Sequence, residues 1–211
     1  MLALNKKTRI IKDKLLIQYQ IFSLDEPIVI AFSNGGYVLT QEEVTNNKSG
    51  WSFDFFAKNK INVLTITPVE EKLWFLNKSC LDFIDYISPQ LKIFPERLGY
   101  GASAGALGVS IHASTLKLDR ILLFSPRLPN DKKYDLFQFN FQYCQDYNKD
   151  ITLIYDPFCK RDHMCALKYP TRTKFLRFYG VGHDVIESLN GIKYLYPLPF
   201  KVRVLKSENC H

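Results

Sequence analysis

The chain has 211 residues, 46% of them hydrophobic and 23% charged, with a formal net charge of +7. At about 150 residues per domain this is one domain, 1–211, able to bury roughly 70% of its unfolded surface. A chiefly disordered chain is excluded, and no apolar run approaches the ~20 residues that a membrane-spanning helix needs.

The positive charge raises nucleic acid as a partner, but its distribution argues against one. Lys6, Lys7, Lys12 and Lys14 cluster near the start, and Lys132-Lys133 and Lys160-Arg161 are isolated pairs. No basic stripe with interleaved aromatics follows, so no nucleic-acid partner is expected, although such a surface can still steer an anionic substrate. Met1-Leu2-Ala3-Leu4 precedes the first charges rather than following them, unlike a secretory signal, and predicts a cytoplasmic protein. Five cysteines include no C-x-x-C pair. Cys159 and Cys165 flank His163 at a spacing that fits no common zinc pattern, so reduced thiols and no metal are expected.

In chain order, 15–22, 27–32 and 61–66 read as strands, the second ending in Ser33-Asn34-Gly35-Gly36. Apolar residues at helical spacing predict a helix from Leu76 to Ile87, stopped by Pro89. A strand from Arg97 runs to Gly101, and a helix follows to about Ser114. Strands are predicted at 120–126, 151–155 and 174–179, and helices at 136–147, 163–169 and from about His183 through Leu189. Continuously apolar strands alternating with helices predict an α/β three-layer sandwich around a mostly parallel sheet. Ligands of such sheets bind outside the carboxyl ends of the strands, so the residues just after strands are the informative ones.

Gly101-Ala102-Ser103-Ala104-Gly105 matches G-x-S-x-G between a strand and a helix. A sharp turn there exposes the hydroxyl of Ser103, small neighbours let strand and helix pass closely, and the helix start directs N–H groups at the site. A serine nucleophile needs a base, and His183 follows the last strand; His112, His163 and His211 are worse placed. Asp156, immediately after the strand ending at Tyr155, is the preferred acid, although Asp-Pro also begins turns. Asp162 competes, with helix capping as its plainer role, and Asp184 is a weaker third. The oxyanion donors expected are the N–H of Ala104 and one from Asn34 or Gly35.

With these residues in the order serine, aspartate, histidine, the chain resembles the α/β-hydrolase superfamily over about residues 25–190. Tyr100 to Leu107, Phe124-Ser125-Pro126, Tyr155-Asp156-Pro157 with Asp162, and Gly182-His183 are similar to compact hydrolase-like proteins of bacterial surface-polysaccharide gene clusters. The resemblance implies a serine esterase working without a cofactor on a small-molecule or glycan ester, O-acyl groups of a glycan among them. An O-acyltransferase with the same residues, or a non-catalytic binding protein on this fold, are the alternatives. Between the strands ending near Ser125 and beginning near Ile151, the crossover helix leaves too few residues for a cap domain. A lidless, open cleft is therefore expected, rimmed by 33–40, 66–75 and 127–135. Tyr37 and Trp74 are candidates for its apolar wall, and core burial is the plainer fate of Trp74.

Overall fold

The computed structural model describes residues 2–72, 74–127 and 147–190. The expected helix at 136–147 falls outside them, apart from Tyr147. Eight strands form one sheet: β1 (Thr8–Lys12), β2 (Leu15–Gln20), β3 (Ile28–Phe32), β4 (Asn62–Pro68), β5 (Arg97–Ala102), β6 (Arg120–Phe124), β7 (Asp150–Tyr155) and β8 (Lys174–Arg177). Their spatial order is β1-β2-β4-β3-β5-β6-β7-β8. β1 and β2 pair antiparallel, as do β2 and β4, and every other pairing is parallel.

β3, at the centre of the sheet, is apolar throughout because helices cover both of its faces. In β3 the two-residue period sends Ile28, Ile30 and Phe32 into one core and Val29 and Ala31 into the other. The first core takes α3 (Lys78–Ile87) through Cys80, Phe83, Ile84 and Ile87, and α4 (Ala104–His112) through Ala106, Leu107 and Val109. The second takes α2 (Phe53–Lys58) through Phe53 and Phe56, and α6 (Val185–Asn190) through Val185 and Leu189. Two short α-helices, α1 (Gln41–Thr45) and α5 (Lys160–Ala166), and a 3-10 helix at Ser88–Ile93 complete the described elements. The three-layer α/β sandwich read from the sequence is the observed architecture.

β3 lies between β4 and β5, so the chain leaves it toward one side and later returns on the other. A reversal of this kind opens a crevice at the carboxyl ends of the strands. The loops after β3 and β5 meet there, and they carry Asn34-Gly35 and Ser103.

Candidate active site

Ser103 joins β5 to α4 with φ 53° and ψ −116°, a left-handed conformation that costs a non-glycine residue about 1–3 kcal/mol. Its N–H donates to the Phe124 carbonyl at 2.9 Å, and its carbonyl accepts from the N–H of Arg127 at 3.3 Å. The turn is possible because two flanking residues have no side chain. A Cβ on Gly101 would stand 2.4 Å from the Gly105 carbonyl oxygen, and one on Gly105 only 2.1 Å from that of Phe32.

Ser103 Oγ lies 3.0 Å from His183 Nε2, and His183 Nδ1 lies 2.7 Å from Asp162 Oδ2. Asp162 is fully buried, whereas the His183 side chain is 22% exposed. Its other carboxylate oxygen, Oδ1, accepts from Arg127 Nε at 3.2 Å. Four chain segments therefore converge: the elbow, the turn after β6, the first turn of α5, and the loop after β8.

The preferred acid of the sequence reading, Asp156, is not the carboxylate against His183. Its Oδ1 accepts from the N–H of Phe158 at 2.8 Å, an Asx turn of the Asp-Pro kind, and its Oδ2 accepts from Gly182 N–H at 2.7 Å. Burial opposes ionisation of this carboxyl. The N–H groups of Gly182, Phe158, Val181 and Gly180 outweigh it and hold Asp156 below the ordinary aspartate range. Asp156 thus fastens the loop bearing His183 from below. Asp162 caps no helix, since Cys159 is the N-cap of α5, and Asp162 sits in its first turn. Asp184 is exposed on the rim of the cleft.

Ala104, as the first residue of α4, has an N–H that no carbonyl of its own helix can accept. Gly35 lies against it: a Cβ on Gly35 would be 3.3 Å from that of Ala104. Asn34 Oδ1 accepts from Gly36 and Tyr37 N–H, and Ser33 N–H reaches the Ile66 carbonyl. Of this loop, the N–H groups of Asn34 and Gly35 have no hydrogen-bond partner among the described residues.

A cleft of about 460 Å³ opens at Ser103, His183 and the Asn34-Gly35 loop, lined also by Lys72, Trp74, Arg127 and Arg161. Trp74 also packs on the core, so it serves in both of its expected places. Tyr37 does not wall the cleft; it packs beside Leu39 and Val44, and its hydroxyl donates to the Ser49 carbonyl at 2.9 Å. Of the expected rim at 127–135, only Arg127 lies within the described residues. His112 is buried, with Nε2 2.8 Å from the Phe75 carbonyl, and stacks on Phe32 far from the serine. Sequence reasoning missed Arg127 and Arg161; the position of Arg127 just past β6 was its only signal.

No family model matches the chain, and neither does any curated protein. Among solved structures, the chain is similar to the capsule O-acetyltransferase of Neisseria meningitidis serogroup A. The two are 12% identical, with a TM-score of 0.62 over 90% of this chain and 93% of that one. A serine hydrolase without a lid from Xanthomonas campestris matches at 10% identity and TM-score 0.55, over 94% and 95% of the chains. The chain has the α/β-hydrolase fold. An H228A mutant of the meningococcal enzyme in complex with CoA also matches, at 11% identity and TM-score 0.57 over 89% and 93%. Within this hydrolase fold, the elbow, the loop after β3 and the loop after β8 all open on the same cleft.

Proposed function

We propose that this chain is an acyl-transfer enzyme of the serine-hydrolase type, acting on a carboxylic ester through an acyl-enzyme at Ser103. The observation that carries the reading is the unbroken path from Ser103 Oγ through His183 to buried Asp162. His183 Nε2 takes the hydroxyl proton as Oγ attacks the ester carbonyl carbon, and the C=O π pair moves onto oxygen. Asp162 holds His183 in the Nδ1–H tautomer and offsets the imidazolium charge. The N–H of Ala104, with that of Gly35 or Asn34, receives the oxyanion. Collapse expels the alcohol, which takes the proton from His183. Water, activated by the same imidazole, then releases the acid.

The substrate class we assign is an O-acylated glycan. A cleft open to solvent accommodates a segment of polymer, and the similar meningococcal protein is named as a capsule O-acetyltransferase. That likeness and the CoA complex favour a second reading, in which an acceptor hydroxyl replaces water and an acyl thioester is the donor.

The test is labelling with a fluorophosphonate, with mass spectrometry locating the adduct, followed by turnover of an aryl acetate with and without a glycan acceptor. Ser103 should carry the label, and release of acetate independent of acceptor identifies an esterase. Acceptor-dependent acetyl-glycan identifies a transferase. A folded chain that takes no label anywhere is a binding protein instead.

A further inference from the structure

Asp162 is fully buried, and its two oxygens have different partners: His183 Nδ1 at 2.7 Å and Arg127 Nε at 3.2 Å. In the resting state the base must be a neutral imidazole, because only then does Nε2 offer a lone pair to the Ser103 hydroxyl. The charge that compensates the buried carboxylate is then that of Arg127, since an uncompensated buried anion either takes a proton or leaves the site.

The backbone adds to the argument. The N–H of Arg127 donates to the carbonyl of Ser103 at 3.3 Å, so one residue is tied to the nucleophile by its main chain and to the acid by its side chain. Among the described residues the guanidinium has a partner at Nε, and Arg127 also lines the cleft.

We propose that Arg127 is a positioning residue: by holding Oδ1 of Asp162 it aims Oδ2 at His183 Nδ1 and so fixes the tautomer of His183. The inference rests on the acyl-transfer reading for its kinetic arm only.

The experiment compares Arg127→Gln, Arg127→Lys, Asp162→Asn and the Arg127→Gln/Asp162→Asn double variant. Read-outs are the fluorophosphonate labelling rate at Ser103, the melting temperature, and the low-field proton resonance of the His183–Asp162 hydrogen bond. Arg127→Gln should label about 10–100-fold more slowly, the usual loss for an outer partner of a site, and lose the low-field resonance. Arg127→Lys should restore part of both. The double variant should label no more slowly than Asp162→Asn alone, because Arg127 acts through Asp162. It carries no unpaired buried charge, so it decides the question even where Arg127→Gln does not fold.

Labelling of Arg127→Gln at the wild-type rate with the resonance in place overturns the proposal, and so does a double variant markedly slower than Asp162→Asn. Should the wild type take no label, the acyl-transfer reading fails. The resonance and its loss in Arg127→Gln still judge the positioning role by themselves.

Discussion

The Ser103 hydroxyl bonds to His183 and satisfies no helix N–H, so its removal takes little from the fold. Ser103→Ala should abolish labelling and ester turnover while stability stays within about 0.5 kcal/mol of wild type by thermal melting. His183→Ala should reduce turnover by roughly 10³-fold or more. Equal labelling of another serine in Ser103→Ala would remove the nucleophile assignment. The two aspartates separate in the same assay. Asp162→Asn puts an amide N–H₂ or a neutral oxygen against His183 Nδ1 and should cost about 10⁴-fold in turnover, as a wrong tautomer does. Asp156→Asn instead sets an amide against the N–H of Phe158 or Gly182, leaving one unpaired. Its main cost should be stability, about 1–3 kcal/mol. Similar activity losses in both variants, with unchanged melting, would contradict this division of labour.

At the scale of elements, the site depends on how closely α4 approaches β3 and β5. Gly105→Ala drives a methyl into the Phe32 carbonyl, and backbone cannot yield as a flexible side chain would. The expected loss is about 1–3 kcal/mol or more, read from a denaturation midpoint, with labelling slowed as the elbow shifts. A variant as stable as wild type would mean that α4 can slide without cost. The same elements show what the sequence disclosed and what it withheld. β3, β4, β5 and α4 were legible because the buried strands are rich in apolar residues and the elbow has only small ones. The placement of Ser103, Asp156 and His183 after three separate strands, in that order, was legible for the same reason. β1, a half-exposed edge strand, and the short helices α1 and α2 were missed. The acid partner of His183 was ambiguous for a tertiary reason. Asp156 lies nearer the strand end, but two backbone N–H groups claim its oxygens, and the first turn of α5 carries Asp162 back over the site.

For the whole molecule, acid is a condition that loads the fold. Two groups with little solvent exposure and depressed native pKa values, His112 and Asp156, set the course. Burial pushes His112 below the ordinary histidine range, against the opposing pull of the Phe75 carbonyl and of Asp85 on α3. Packed around it are the Cys80 thiol, whose own pKa burial pushes up to about 12, and the ring of Phe32. The unfolded chain therefore binds this proton first: the stability from a neutral His112 is present above about pH 6.5 and is lost as pH falls below it toward the depressed native value. Asp156 acts lower. Its contribution is present above about pH 3.9 and disappears as pH drops through its depressed native value. The formal charge of +7 counts histidines as neutral, so every proton gained also adds to self-repulsion. Melting temperature should thus be level from about pH 8 to 6.5, decline below that, and fall more steeply under about pH 4. His112→Gln keeps an N–H donor for the Phe75 carbonyl and cannot ionise. Its melting temperature, measured by circular dichroism over the same range, should lack the upper decline while retaining the lower one. An upper decline of undiminished size in His112→Gln would assign the acid sensitivity to other groups.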